Sequence, residues 1–241
     1  MSINDDLKGL YLQHIVFLVE AMKSLPQEQL DGFSGPLLMK CPWETEYRES
    51  RKRLLIVGQQ TNGWEPTFRD ILALTAREIV ENGMEHYEAF RMGRDYINTP
   101  IFLCPHFLHS VINGPVKKPS FMWTNVWKID FGGNSIGQGT QDAVIGSFDV
   151  LKDEVRILKP DVVVFFTGHY YDDAIARQFP GVEFQGIEGV GRAGLAKLSH
   201  ESLPDLTFRT YHPGFLIRGN KRQKQNYFQA LLQVLAQDYF E

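Results

Sequence analysis

The sequence predicts an α/β protein: a three-layer α/β/α sandwich around a central four-stranded, mostly parallel sheet. Three observations carry that prediction. Short unbroken apolar runs, LLIV at 54–57 and VVVFF at 162–166, have the length and β-branched content of strands buried on both faces. Between them lie longer stretches with apolar residues three and four apart, the period of an amphipathic helix. Helices separating isolated buried strands imply a parallel sheet covered on both sides.

Taken in order, Leu7, Leu10, Tyr11, His14, Ile15, Leu18, Ala21, Met22 and Leu25 put one apolar face on a helix over residues 6–24, closed by Pro26. Residues 31–50 carry Gly, Pro and Trp without a period and read as a long connection. RKR then leads into the first core strand, which Gly58 stops. Beyond TNGWEPT, residues 68–83 follow a helical pattern, with Thr67 as cap and Gly83 as stop. FMWTNVWKI, residues 121–129, is aromatic and β-branched enough for a second strand, and FGGNSIGQG after it is a loop. VLKDEVRILKP ends a helix at Pro160, directly before the VVVFF strand and its Thr167, Gly168 and His169. DDAIARQF makes a short helix, LTFRTYHPG an outer strand broken at Pro213, and RQKQNYFQALLQVLAQDYF a C-terminal helix. Residues 1–241 read as one domain, with 1–50 its N-terminal helix and connection.

Composition narrows the function classes. The chain has 241 residues, 43% of them hydrophobic, enough for one sizeable core. It carries 25 Lys and Arg against 29 Asp and Glu, a net charge of -4, so the basic footprint of a nucleic-acid binder is absent overall and only a local patch can supply it. Two cysteines, Cys41 and Cys104, stand far apart with no CxxC spacing, which argues against an iron–sulfur cluster or a cysteine zinc site. No cofactor is expected, and the setting is expected to be reducing and cytoplasmic. No apolar run reaches membrane-spanning length, and the acidic start lacks the order of a signal peptide. His106 and His109 in CPHFLHS have ligand-like spacing with Cys104, but no acidic partner joins them, and core or loop histidines are the favoured reading.

The polar segments all fall at strand ends: Gly58 to Gly63, Thr124 and Asn125, Thr167 to His169, and His212 to Gly214. In open α/β sheets ligands collect outside the carboxyl ends of the strands, so these segments are expected to converge on one site. Gly58 to Gly63 can form a backbone nest for an anion or a ring carbonyl, or simply a turn. It lacks both the Lys-Ser/Thr ending of a phosphate loop and the GxGxxG fingerprint. Asn125 offers an acceptor and two donors, which suits a base edge, or satisfies a neighbouring strand. His212 can donate to a developing oxyanion or tie down its turn, while His169 carries less weight. From Leu206 to Gln237 there is no acid, but there are Arg209, Arg218, Lys221, Arg222 and Lys224. Such a run can hold phosphates near a helix N-terminus or be a solvated face. Phe215 and Leu216 can wedge between stacked bases or staple the loop to the core.

Three of these segments, VGQQTNGW, MWTNVWK and TYHPGFLIRG, resemble in that order the motifs of the uracil-DNA glycosylase superfamily, over about Leu54 to Phe240. The resemblance implies a base pocket at the carboxyl edge of a four-stranded parallel sheet. It implies that Gly58 and Gln59 open the motif that binds base and sugar. The acid or asparagine of that motif falls on Gln60, with Asn62 as an offset possibility, to place water. Asn125 matches the residue that reads the pyrimidine edge, and His212 the one that stabilises the departing base. Pro213, Gly214, Phe215, Leu216, Ile217 and Arg218 match the loop that enters the duplex. The implied partner is DNA with a single flipped nucleotide, its phosphates held by Arg218, Lys221, Arg222 and Lys224.

One departure bears on mechanism. A glutamine amide is neutral and cannot act as a general base; at most it orients water. Catalysis would then rest on breaking the N-glycosidic bond first, with His212 and backbone amides stabilising the anion. Trp123 and Trp127 also make a bulkier surround than uracil needs. The expected activity is therefore hydrolysis of the N-glycosidic bond of a damaged or deaminated base. Its rivals are a non-catalytic nucleotide or nucleic-acid module and a hydrolase of free nucleosides, the latter fitting the net charge of -4.

Overall fold

The two apolar runs become strands where the sequence puts them, β1 at Leu54–Gly58 and β3 at Val162–Phe166, while the strand expected over residues 121–129 is shorter, β2 at Met122–Asn125; every residue in all three is buried. Three more follow, β4 at Glu183–Gly186, β5 at Leu195–Ser199 and β6 at Leu206–Thr210. The computed structural model describes residues 2–96, 98–114, 120–133, 144, 146–217 and 221–237. Among them the sheet has six strands in the order β2-β1-β3-β6-β5-β4, not the four expected. β1, β3 and β6 run parallel, whereas β4 and β5 add an antiparallel edge. The sheet is therefore mixed. β6 is also not an outer strand, since β3 and β5 flank it.

An ion pair sets the start of the parallel block. Arg53 donates from Nε to Oδ2 and from Nη2 to Oδ1 of Asp161, both at 2.9 Å, and its backbone N–H adds a third bond to Oδ2 at 2.8 Å. The fork fixes Leu54 opposite Val162, and a one-residue slip would turn each buried side chain to the other face.

Helix boundaries follow their caps. The first helix runs Ile3–Lys23, earlier than expected, because Ser2 accepts from Asp5 N–H and Asp5 caps Ser2 in return. Residues 68–83 form two helices rather than one, Phe68–Ile71 and Ala76–Ala89. Each is opened by a threonine: Thr67 donates to Asp70, and Thr75 to Glu78. Gly83 does not stop the second, since it lies inside it, where a Cβ would come within 2.8 Å of Leu38 Cδ1. The connection over 31–50 also contains a helix, Glu44–Glu49, with Tyr47 buried.

Contacts sort the chain into two interleaved units: Met1–Pro42, Gln59–Arg91 and Thr124–Leu158; then Trp43–Gly58, Met92–Trp123 and Lys159–Glu241. In the first, the helices Ala76–Ala89 and Leu151–Leu158 pack on Ile3–Lys23. In the second, the helix Lys221–Gln237 lies on β6 and β5, and the short helix Pro213–Ile217 lies against Pro100–Asn113. Among the described residues no helix is long and apolar enough to cross a membrane.

Candidate active site

In the second unit, the parallel pairing brings the carboxyl ends of β1, β3 and β6 to one rim, where Gly58, Thr167 and Tyr211 lead out of the sheet. The pairing of Phe166 with Thr210 is continued by Gly168 N–H, which donates to Thr210 O at 2.9 Å. The Thr167–His169 and Tyr211–Gly214 segments are therefore brought together. Gly168 has φ +73, a backbone conformation that glycine adopts without strain, and a Cβ there would make only ordinary contact with the Tyr211 and Tyr170 rings.

His212 is half-buried, and its Nδ1 accepts a hydrogen bond from Gly214 N–H at 3.0 Å. A backbone N–H can only donate, so the neutral ring carries its proton on Nε2. Nε2–H is then the donor of the ring, the kind of group a developing base anion requires. Pro213 opens the helix Pro213–Ile217, and Phe215 N–H closes the turn onto His212 O at 2.8 Å. Phe215 is 43% exposed, with its ring centroid 4.3 Å from that of Tyr211.

The basic run divides. Leu216 lies on the helix Pro213–Ile217, and Lys221, Arg222 and Lys224 are in the first turns of Lys221–Gln237. Arg218 is outside the described residues. Arg209 is no phosphate ligand: it is fully buried, donating from Nε and Nη2 to Asp172 at 2.8 and 3.0 Å and from Nη1 to Ala193 O at 3.0 Å. Inward-facing β6 positions are dry, and a guanidinium there needs a carboxylate beside it.

In the first unit, Trp127 N–H donates to Gln59 O at 2.9 Å, joining the loop after β1 to the segment after β2. Gln59 and Gln60 are half-buried, and Asn62 is exposed. Asn125 is 1% exposed, and its buried Nδ2 has no hydrogen-bond partner among the described residues. Leaving such a donor unpaired costs about 1–3 kcal/mol.

Its neighbour Thr124 is held firmly. Thr124 Oγ1 donates to Glu154 Oε2 at 3.1 Å and accepts from Lys128 Nζ, which also pairs with Glu154 Oε2. Tyr11 OH donates to Glu154 Oε1 at 2.8 Å and accepts from Met39 N–H at 3.0 Å. Burial, and then the Glu154 charge, push the Tyr11 hydroxyl well above its usual pKa; burial lowers Lys128 against the pull of Glu154. The network is dry and fully committed, so it fixes the end of β2.

Sequence reasoning missed Asp130. It is 1% exposed; Oδ2 accepts from Gly63 N–H at 3.0 Å and Oδ1 from Gly133 N–H at 2.6 Å. Its backbone exchanges bonds with Ser34, whose hydroxyl lies 3.0 Å from Thr61 Oγ1. Asp130 thus clamps the end of the glutamine loop. The visible signal was an aspartate just ahead of Gly132 and Gly133, a pattern that favours a side-chain-capped turn.

The histidines of CPHFLHS are committed inside the fold. His106 Nε2 lies 3.3 Å from Met92 O, and His109 Nε2 lies 3.3 Å from Ser120 Oγ. Among the described residues no group of three His, Cys, Asp or Glu is arranged to hold a metal ion.

The strand order and the mixed, mostly buried sheet define an α/β protein in which the glutamine loop follows β1, Asn125 ends β2 and the His-Pro-Gly turn follows β6. The family model described as the Uracil DNA glycosylase superfamily matches residues 45–236, and the chain belongs to that superfamily. No curated protein matches it significantly.

Proposed function

We propose that this protein hydrolyses the N-glycosidic bond of a damaged or deaminated base in DNA, acting in the cytoplasm on a nucleotide turned out of the stack. The observation that carries the reading is the unpaired Nδ2 of Asn125: a buried donor without a partner is retained where a ligand completes it. A pyrimidine carbonyl is such an acceptor. Gly58 and Gln59, with Pro213 and Gly214, line the base and sugar. Nε2–H of His212 donates to the base oxygen on which negative charge gathers as the bond to C1′ breaks and its electron pair leaves with the base. Gln60 or Asn62 then holds the water whose oxygen adds to C1′, while its proton passes to solvent or to the released base. Phe215 and Leu216 enter the stack, and Arg218, Lys221, Arg222 and Lys224 hold phosphates.

The test is base release from single- and double-stranded oligonucleotides carrying uracil, hypoxanthine, xanthine, or oxidised or alkylated bases, with His212→Ala and Asn125→Ala alongside. Release by the wild type that both variants lose supports the proposal; no release from any substrate ends it. The neutral Gln60 favours one rival, a module that binds without turnover. It predicts salt-sensitive binding with no product.

A further inference from the structure

We propose that Tyr170, His169, Tyr211 and Phe215 form a shelf on which unpaired bases of single-stranded DNA stack, beside the nucleotide to be excised. The proposal rests on the reading above for its choice of DNA as the ligand, and on the rings for the rest.

The rings form two close, tilted pairs. His169 and Tyr170 lie with centroids 4.0 Å apart at 36°, and Tyr211 and Phe215 lie 4.3 Å apart at 32°. An edge-to-face contact between His169 and Tyr211, at 5.9 Å and 84°, joins the pairs, and Tyr227 backs Tyr211 at 5.4 Å. Tyr170 is 78% exposed and Phe215 43%. Gly168, at φ +73, turns the chain just ahead of His169 and Tyr170 and lies in van der Waals range of the Tyr211 and Tyr170 rings. The ring packing also keeps Nδ1 of His169 buried with no hydrogen-bond partner among the described residues, a cost tolerated only where that packing outweighs it.

Chemistry and position select the occupant. An apolar protein partner would favour a stripe without polar edges such as Leu103, Phe107 and Val111, exposed on the helix Pro100–Asn113. The shelf instead presents flat rings with polar edges, the composition that stacks bases without regard to sequence. It is not built for phosphates, because Arg209 nearby is buried against Asp172, and Asp173 follows. Its two halves leave the sheet at the carboxyl ends of β3 and β6, where ligands of α/β sheets gather. His212 lies in sequence between Tyr211 and Phe215, so a strand delivered to it passes the rings. Bases inside a duplex have both faces covered by their stacked neighbours, which makes the ligand single-stranded.

The experiment is equilibrium binding of fluorescent oligothymidylate, which has no base to excise, across a salt series. Tyr170→Ala is expected to weaken binding about tenfold, near the low end of base–aromatic stacking, with the slope of log K against log salt unchanged. Tyr170→Phe and Tyr170→Trp should bind like the wild type or tighter. Tyr170 is too exposed to hold the core, so unchanged thermal unfolding is expected in each variant. The shelf is overturned by any of four results: no wild-type binding, wild-type affinity in Tyr170→Ala, a loss in Tyr170→Phe equal to that in Tyr170→Ala, or equally tight binding of thymidine monophosphate. Base release is a separate readout: its absence beside an intact stacking effect would sink the glycosylase reading alone, and its presence with indifferent Tyr170 variants would sink the shelf alone.

Discussion

The N–H of Gly214 points at Nδ1 of His212 across 3.0 Å, and that single bond decides which imidazole nitrogen carries the proton. It also makes residue 214 sensitive to size, because a Cβ there would lie 3.1 Å from the same Nδ1. Gly214→Ala should push the ring a few tenths of an ångström off its line. The expected result is a fall in kcat for base excision of about tenfold with KM little changed, since the donor acts on charge present only in the transition state. His212→Ala should lose about 100- to 1,000-fold, the scale for deleting one donor to a developing anion. Single-turnover excision measures both. Wild-type kcat in Gly214→Ala would refute a fixed imidazole.

Asn125 makes an opposite prediction for stability. Asn125→Ala removes a buried amide whose Nδ2 has no partner, relieving about 1–3 kcal/mol, while the small void it leaves costs a similar amount. Denaturant unfolding should therefore stay within about 1 kcal/mol of the wild type, as excision falls at least about tenfold. A destabilisation beyond about 3 kcal/mol would identify a structural asparagine instead.

His109 gives the fold a pH dependence. Burial, then the neighbouring His106, lower its pKa from 6.5 to about 4. The unfolded chain therefore binds the proton more readily than the folded one, and the contribution is fully present above about pH 6.5. It is lost as pH falls from there through about 4, on the order of 3 kcal/mol in all. His109→Leu should flatten this part of the stability profile, as read from denaturant midpoints at several pH values. An unchanged slope in that variant would place the acid sensitivity elsewhere.

How much of this was legible depended on where each signal resided. β1 and β3 were readable because strands buried on both faces need unbroken apolar runs, and Val162–Phe166 has no alternative use. β4 was not, since three of its four residues are exposed and Glu183–Gly186 has no apolar pattern; its pairing with β5 makes it a strand. The motif residues could be named because their types and order were unusual. The local turn of Asp130 onto Gly133 had a visible pattern, but its clamp on the glutamine loop was hidden because the Gly63 N–H and the Ser34 hydroxyl are distant partners that no spacing in the sequence encodes. Arg209 misled for a related reason: a charge count along the chain cannot tell an inward β6 position from a solvent-facing one.

That misreading yields the sharpest stability prediction. Arg209 is wholly buried, while the Asp172 carboxylate is 17% exposed and has Arg192 3.9 Å away as a second cation. The two partners are therefore unequal. Asp172→Ala strands a guanidinium with no route to water and should cost about 3–5 kcal/mol. Arg209→Met leaves a carboxylate that still reaches solvent and Arg192, and fills the vacated volume with an apolar chain, so its cost should be at most about half as large. Adding Arg209→Met to Asp172→Ala should recover most of the loss, a coupling that a double-mutant cycle reads directly. If Arg209 instead served phosphates, Arg209→Met would lower the salt dependence of oligonucleotide binding by about one charge, and the pair would show no coupling in stability. The buried geometry requires the reverse: an unchanged salt slope, strong coupling, and the larger penalty on removing the acid.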